Sequence, residues 1–450
     1  MKKLSFKMMA ILLLGVFVTA SCSEDDEDDD AIVVPVESNT IVDVASANDD
    51  FSILVDALVM VGLDDALAND DASFTVFAPT NDAFVALLDE LGVSALEDIP
   101  TETLTAVLLY HVLNVKAPAS AVSTGYYSTL SAGPADGYNL SLYVNKEDLM
   151  LNNRAEIVQT DVMADNGVIH VIDKVVLPLS LTGHAVANAN FSSLAAAVTK
   201  AGLADALADE SAVYTVFAPL NAAFDELFTD LGVTLDDFTA DDLTPILLYH
   251  VVNALVPAAD VTSGYVPTLS PAQGRNVSLQ INVDGGVFLN GSSEVVATDV
   301  VATNGIIHAI DEVLLPPTVV DIALDNPNFS ILVEAVVKAD LVDALNGEGP
   351  FTVFAPENTA FEELFTTLGV SGVEEIDVAT LTNVLLAHVV SGNVASGDLS
   401  NGSVPTLNDG KSLEFNVDNG VVIDGDINVI LADVQGSNGI IHVIDKVIVP

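Results

Sequence analysis

Apolar residues recur at helical spacing in three distant parts of the chain. Phe51, Leu54 and Leu58 fall on one face of a helix that would end at Gly62, a residue suited to a C-terminal cap. The same pattern returns further along the chain, at Phe191, Leu194, Ala195 and Val198 and again at Phe329, Leu332, Val333 and Val336. Each third of the chain is therefore predicted to begin with an amphipathic helix.

A short β-rich run and a second helix follow in each third. Residues 74–77 favour a strand, which Pro79 would end because proline cannot donate to a sheet ladder. Asn81 is predicted to cap the next helix, which would close at Gly92. The apolar face of that helix carries Phe84, Leu87, Leu88 and Leu91. Asn221 with Gly232, and Asn358 with Gly369, repeat this frame.

The rest of each third is one more helix and then strands. In the first third, Leu104, Leu108 and His111 share a helical face, and Asn166-Gly167 is a hairpin signal. The strand candidates are residues 139–145, 148–151, 157–163 and 168–177. Because helices cluster early and strands late, each third is predicted to be an α+β domain with a mainly antiparallel sheet.

Three sequence blocks recur in the same order in each third. The first block is Thr-Val-Phe-Ala-Pro, whose phenylalanines Phe77, Phe217 and Phe354 lie 140 and 137 residues apart. The second block is Leu-Leu-Tyr-His-Val, with Ala387 in place of the tyrosine in the last copy. The third block is Asn-Gly-(Val/Ile)-Ile-His-(Val/Ala)-Ile-Asp, and its histidines are His170, His308 and His442. This period is a domain length rather than a solenoid repeat, so we expect three tandem domains, at 39–178, 181–316 and 317–450.

The three blocks together resemble the fasciclin (FAS1) domain. The resemblance implies a β-wedge flanked by helices, and a role in cell adhesion or extracellular ligand binding. In vertebrate members of that family, integrin contacts are attributed to the Tyr-His pair and to an aspartate just before the Asn-Gly block. The corresponding candidate interaction residues here are Tyr110, His111, Asp161, Tyr249, His250, Asp299, His388 and Asp433. The Glu-Pro that precedes the aspartate in those members is missing, so the ligand itself does not carry over.

The start of the chain has the pattern of an export signal. Lysines precede an apolar run of 11 residues, which is too short to span a bilayer, and small residues follow it. Cys22, the single cysteine, stands where cleavage of a signal peptide over residues 1–21 would leave it first. This resembles a bacterial lipobox, in which the cysteine is lipidated. The acidic run at 24–30, in the linker 22–38, is similar to the export signal of Bacteroidetes surface lipoproteins and would also act as a solvated spacer. We expect a lipid-anchored protein of the outer membrane or cell surface, facing outward or into the periplasm.

Composition narrows the functions further. The chain has 65 acidic and 12 basic residues among 450, a net charge of −53, which is unsuited to nucleic-acid binding. Half the residues are apolar, which is ample for packed cores. The sequence lacks a zinc helix, a nucleophile elbow, a phosphate loop and EF-hand spacing, so we expect no cofactor, no metal and no catalysis. Weak calcium binding by scattered carboxylates stays open.

The positions of the histidines and tyrosines bear on whether the chain is an enzyme and on which ligand it binds. His111 and its equivalents lie on apolar faces, which favours hydrogen-bonded core histidines over catalytic ones, and His184 stands apart in the linker between two domains. The leading hypothesis is therefore adhesion to an extracellular protein or matrix. The alternative is a polysaccharide-binding module, for which the aromatic candidates are Tyr126, Tyr127 and Tyr265. A hydrolase ranks last.

Overall fold

The computed structural model describes residues 39–450. The predicted signal peptide, Cys22 and the acidic run lie outside the described residues. The described part of the chain is one compact unit.

The first domain places its helices before most of its strands. Its helices are α1 (Ile41–Ser46), α2 (Ser52–Val61), α3 (Asp64–Leu67), α4 (Asn81–Leu91) and α5 (Thr101–Tyr110), with short 3-10 turns at Asp49–Phe51 and Leu96–Asp98. Its strands are β1 (Phe74–Pro79), β2 (Val112–Leu113), β3 (Gly125–Ala132), β4 (Asn139–Asn145), β5 (Met150–Leu151), β6 (Ala155–Ala164) and β7 (Gly167–Ile172).

Local capping explains where these helices begin and end. Gly62 and Gly92 end α2 and α4 in the left-handed conformation, as their positions predicted. Asn81 does not cap α4: Thr80 is the N-cap, and its hydroxyl accepts a hydrogen bond from the Ala83 backbone N–H. The Asn81 side chain instead accepts from the Ile53 N–H at 2.9 Å and donates to the Asp49 carbonyl at 2.8 Å. Asn81 therefore joins α4 to the start of α2.

The seven strands of the first domain close into a barrel in the order β1 to β7. All neighbouring strands are antiparallel except β1 and β7, which pair in parallel from Phe74–Gly167 to Pro79–Ile172. Strand β3, which the hydrophobic pattern did not single out, closes the barrel by pairing Thr129 with Leu113. The domain is α+β as expected, with one parallel strand pair that the pattern could not show.

Strand β1 has a core on each of its faces. Val76 and Ala78 face the helices, where they pack with Phe84 and Leu108. Phe77 faces the barrel interior, where it packs with Tyr110. Since neighbouring strand residues point to opposite faces, one short strand organises both cores.

The second and third domains repeat this arrangement. The second domain has helices α6 (Leu181–Ala187), α7 (Ser192–Lys200), α8 (Ala204–Leu207), α9 (Asn221–Leu231) and α10 (Ala240–Tyr249), with strands β8 (Tyr214–Pro219), β9 (Val251–Val252), β10 (Gly264–Ala272), β11 (Arg275–Asn282), β12 (Phe288–Leu289), β13 (Ser293–Ala302) and β14 (Gly305–Ile310). The third has helices α11 (Val319–Leu324), α12 (Ser330–Lys338), α13 (Val342–Leu345), α14 (Asn358–Leu368) and α15 (Val378–Ala387), with strands β15 (Phe351–Pro356), β16 (Val389–Ser391), β17 (Gly402–Pro405), β18 (Ser412–Asn416), β19 (Val422–Ile423), β20 (Ile427–Gln435) and β21 (Gly439–Ile444). Further 3-10 turns lie at Ala189–Phe191, Leu235–Asp237, Ala258–Asp260, Pro327–Phe329, Val373–Glu375 and Ser396–Asp398.

The three sheets differ in closure. The second domain is a closed barrel like the first, whereas the third is a seven-stranded sheet from β16 to β17. At its seam, the Leu407 N–H donates to the Val389 carbonyl at 2.7 Å.

Consecutive domains pack against each other through contacts that repeat at both junctions. The Val301 N–H of the second domain donates to Ser141 Oγ of the first at 2.9 Å, and the Gln435 N–H of the third donates to Ser278 Oγ of the second at 3.0 Å. The ion pair of Arg275 with Asp398 adds to the second junction, with 2.6 Å between nitrogen and oxygen. The short linkers thus join domains that share buried surface.

His184 belongs to the first of these junctions. The sequence placed it in a linker with no particular role. In the structure it lies on α6, is fully buried, and meets Tyr126 of the first domain edge-on, with 5.5 Å between ring centroids. Burial lowers the pKa of His184 to about 4, so the ring is neutral at pH 7. It packs between the first and second domains.

Candidate functional site

The Tyr-His pair lies at the end of α5, in the interior of the first domain. Tyr110 has no exposed surface; its hydroxyl donates to the Ser141 carbonyl at 2.7 Å and accepts from Asn152 Nδ2 at 3.0 Å. His111 Nδ1 lies 2.7 Å from the Val107 carbonyl, and the Val176 N–H donates to Nε2 at 2.9 Å. The pair therefore ties the last turn of the helix to β4, to the turn after β5 and to the segment after β7.

The other domains use the same arrangement. The ring of His250 lies between the Ile246 carbonyl and the Leu314 N–H, at 2.8 and 2.9 Å, and that of His388 between the Val384 carbonyl and the Ile448 N–H, also at 2.8 and 2.9 Å. A carbonyl accepts and an N–H donates, so each ring is a neutral imidazole with its proton on Nδ1. Burial lowers the pKa of His111, His250 and His388 to about 4.

Five of the eight candidate interaction residues are thereby corrected to structural anchors. Tyr110, His111, Tyr249, His250 and His388 are all buried. A buried side chain cannot touch a partner while the domain stays folded, so these residues do not form a contact surface. The core-histidine interpretation of the spacing is confirmed.

The second set of histidines holds a bulge in the penultimate strand. His170 Nε2 lies 3.0 Å from the Ala117 carbonyl, and the Asp161 N–H donates to its Nδ1 at 3.3 Å. The register of β6 against β7 shifts between Gln159 and Val162. The extra residue forms a β-bulge, which changes the direction of the Asp161 side chain relative to the regular alternation of the strand.

The bulge aspartates adopt a backbone conformation that few side chains accept. Asp161, Asp299 and Asp433 have φ angles of 61°, 60° and 65°. Aspartate tolerates this left-handed region better than most residues because its short polar side chain bonds locally. Asp161 Oδ1 accepts from the Ala119 N–H at 2.8 Å, and Asp299 Oδ1 from the Ala258 N–H at 2.9 Å.

The third domain holds its aspartate by two bonds. The Ser396 N–H donates to Asp433 Oδ1 at 2.8 Å, and Ser396 Oγ lies 2.5 Å from Oδ2. Asp161 and Asp433 are exposed and Asp299 is half-buried. These three candidates thus lie at the surface, on a bulge that each domain rebuilds in the same way.

An aliphatic side chain three residues before each aspartate is also exposed. Val158, Val296 and Ile430 have exposed fractions of 54%, 49% and 51%. The hydrophobic pattern predicts only that Val158 belongs to a strand. The signal that could have found it is the return of a β-branched residue at the same position in every copy.

The hydroxyls of the three tyrosines considered as sugar-binding platforms form hydrogen bonds within the protein. Asn188 Nδ2 donates to the Tyr126 hydroxyl at 3.3 Å, and Asn326 Nδ2 donates to the Tyr265 hydroxyl at 3.1 Å, each across a domain junction. The Tyr127 hydroxyl lies 2.8 Å from the Ser123 N–H, which donates to it. Tyr126 and Tyr265 therefore act as junction residues.

The described residues lack the features of two other kinds of site. Among residues 39–450, no group of three or more histidine, cysteine or acidic side chains is arranged to hold a metal ion. No helix in this part of the chain is long and apolar enough to cross a membrane.

Comparison with known proteins identifies the family. The fasciclin domain profile matches residues 49–178, 189–316 and 327–450. The chain belongs to the fasciclin family. It is 30% identical over 424 residues to transforming growth factor-beta-induced protein ig-h3 from Sus scrofa, which covers 93% of this chain and 59% of that protein. The fasciclin chain thus spans about three fifths of the length of this relative.

Two further relatives match parts of the chain. Protein sll1483 of Synechocystis is 46% identical over 133 residues, which are 30% of this chain and 73% of that protein. Human periostin is 29% identical over 243 residues, which are 53% of this chain and 28% of that protein. Among solved structures, a FAS1 domain pair from the insect cell adhesion molecule Fasciclin I matches with a TM-score of 0.39 and 21% identity, covering 58% of this chain and 97% of that one.

Proposed function

We propose that this fasciclin chain is a cell-surface adhesion protein that binds an extracellular protein ligand and catalyses no reaction. The observation that carries the proposal is the bulge built three times over, with an aspartate carboxylate and an exposed aliphatic side chain on the same strand. A carboxylate beside an apolar contact can orient a ligand and also exclude water from it. Three copies on one chain allow multivalent attachment.

The charge of the chain defines the partner further. An excess of 53 negative charges repels acidic surfaces. The ligand should therefore present positive charges and an apolar patch to each bulge. A basic protein segment has both features. An acidic polysaccharide would be repelled, whereas a neutral polysaccharide, which the alternative also includes, would not be.

An adhesion assay with matched variants tests this function. Beads carrying residues 39–450 are allowed to settle on extracellular matrix from cultures of the producing cells. The triple variant D161N/D299N/D433N leaves a side-chain oxygen in each domain that can accept the local backbone N–H bond, and asparagine also tolerates the left-handed backbone. Its adhesion should fall at least about tenfold, as expected for the loss of a charged contact of about 1.4 kcal/mol or more.

The control variant D65N/D205N/D343N removes the same charge from exposed helix positions and should adhere like the wild type. Treatment of the matrix with protease should abolish binding, and periodate oxidation should leave it intact. Equal adhesion by both triple variants would contradict the proposed surface, and sensitivity to periodate alone would favour the polysaccharide alternative.

We propose further that Cys22 carries the lipid that holds the protein on the outer membrane, facing outward. Labelling of intact cells with a palmitate analogue should mark the wild type and leave the C22S variant unmarked. Protease added to intact cells should remove the domains if they face outward, and should leave them intact if they face the periplasm.

A further inference from the structure

The third domain contains an apolar cavity between its first helices and its sheet. Its volume is about 160 Å³, and α11, α12, α13 and α15 contribute to its walls together with β15. Val319, Val336 and Leu345 are among the side chains that line it. We propose that this cavity is a binding site for a small uncharged hydrocarbon group of about the size of a benzene ring.

The chemistry of the walls defines this class of ligand. The lining side chains are aliphatic or aromatic, apart from His388. Both ring nitrogens of His388 are already engaged, with the Val384 carbonyl at 2.8 Å and the Ile448 N–H at 2.9 Å. A water molecule needs two or more polar partners to occupy a cavity, and an apolar cavity of about 150 Å³ stays dry and takes up benzene or xenon. The cavity should therefore bind apolar ligands, because it has no free hydrogen-bonding group for a polar ligand.

The same cavity exists in the other two domains but is nearly filled. Its volume is about 60 Å³ in the second domain and about 20 Å³ in the first. Two lining positions change with this series. The first is Ile41, Leu181 and then Val319, and the second is Leu58, Val198 and then Val336. The third domain thus combines the smaller residue at both positions, so its cavity is open where that of the first domain is closed.

The cavity also has an apolar entrance. Leu324 and Val337 line it and have exposed fractions of 56% and 60%, so it reaches the surface beside them. A hydrocarbon group can enter there without crossing a polar rim. This entrance lies on the helical side of the domain, and the bulge that carries Asp433 lies on β20, so the site is additional to the proposed adhesion surface.

Benzene titration of residues 39–450 tests the proposal. Benzene should cause saturable changes in the methyl NMR signals of Val319, Val336 and Leu345, and should raise the melting temperature of the third domain. Phenol has nearly the same shape but brings a hydroxyl that finds no partner, and it should bind at least about tenfold more weakly.

Two variants make the test specific. V319I/V336L introduces the residues of the first domain and should lose the saturable benzene response, while its melting temperature without ligand stays equal or rises. V198L makes the corresponding change in the second domain and should respond to benzene like the wild type. Unchanged methyl signals in the wild type, or an equal response in V319I/V336L, would overturn the proposal. Adhesion of the wild-type beads is measured separately, so failure of this site leaves the adhesion proposal standing.

Discussion

Buried asparagines hold each domain together at the residue scale. Asn166 Oδ1 accepts from the Ile41 N–H at 2.8 Å, and its Nδ2 donates to the Leu67 carbonyl at 2.7 Å and the Asn69 carbonyl at 3.1 Å. Asn304 and Asn438 make the same three kinds of contact. The Asn-Gly signal predicted only a hairpin, because its partners lie about 100 residues away along the chain. The recurrence of the Asn-Gly block in each domain indicates that its asparagine matters, but does not show what the asparagine contacts.

The glycine after this asparagine is required for close packing. A β-carbon on Gly167 would lie 2.3 Å from the Phe74 carbonyl oxygen. We expect G167A to lower the free energy of unfolding of the first domain by about 1–3 kcal/mol, the usual cost of overpacking, as measured by urea denaturation. G372A, where an added β-carbon meets nothing within 4 Å, is the control and should change stability little. Equal stability of both variants would contradict the close approach.

The buried histidines make the domains sensitive to acid. The pKa of His111 is about 4 in the folded chain because burial disfavours its charge, whereas an unfolded histidine titrates near 6.5. Between these values the unfolded state binds the proton and the folded state does not. The contribution of His111 is therefore complete above pH 6.5 and is lost as the pH falls towards 4.

Comparing wild type with H111N isolates this effect. The free energy of unfolding should fall more steeply from pH 7 to pH 4.5 in the wild type than in H111N, by on the order of 3 kcal/mol at most. Urea denaturation at several pH values gives the two slopes. An NMR titration of the His111 ring with a midpoint near 6.5 would refute the account.

At the scale of helices and strands, the hydrophobic pattern predicts faces better than ends. The predicted apolar positions Leu54 and Leu58 of α2 and Phe84 and Leu87 of α4 are buried, and the glycines after both helices are caps. Leu91, predicted on the same face of α4, lies in the last turn and is 48% exposed. The N-cap of α4 was misplaced by one residue because the asparagine that follows Thr80 is an equally good capping residue by type. Only the tertiary contacts of Asn81 with Ile53 and Asp49 decide between the two.

The third domain offers a test of that cap. Glu357 precedes α14 in the position of Thr80, and its side chain makes no capping bond. We expect E357T to raise the free energy of unfolding of this domain by about 1 kcal/mol, since a threonine hydroxyl can accept an N–H of the first turn. E357Q removes the charge without supplying a cap and serves as the control. A melting temperature of E357T no higher than that of E357Q would show that the cap adds nothing.

The residues of the candidate site could be predicted from the sequence, but the exposure of most of them could not. An aspartate or histidine that returns in three domains is visible in the sequence, but its exposure depends on contacts that the sequence does not show. Helical spacing was enough to place His111 in the core. Neither the burial of Tyr110 nor the exposure of Val158 followed from spacing, because both depend on how strands close the barrel.

At the scale of the whole molecule, charge repulsion is the dominant unfavourable feature. Against 65 acidic residues the chain has 12 basic ones, and residues 39–450 contain six ion pairs. Salt shortens the range of this repulsion, since the Debye length falls from about 30 Å at 0.01 M to about 3 Å at 1 M. The folded state is compact and gains most from the screening.

We therefore expect the melting temperature at pH 7 to rise by several degrees between 0.01 M and 1 M sodium chloride, by calorimetry. Near pH 4 many carboxylates are protonated, so the same salt step should have a smaller effect. A melting temperature that falls with salt at pH 7 would contradict this account of the charge.

The packed array of three domains leads to the central claim, that each domain presents one equivalent contact surface. The most direct test is the dissociation rate of residues 39–450 from immobilised matrix after one, two or three of the substitutions D161N, D299N and D433N. The account predicts that dissociation becomes faster with every substitution, whichever domain is changed first, because each removes one attachment from a multivalent complex. A rate that depends on one domain alone, or that all three substitutions leave unchanged, would contradict it.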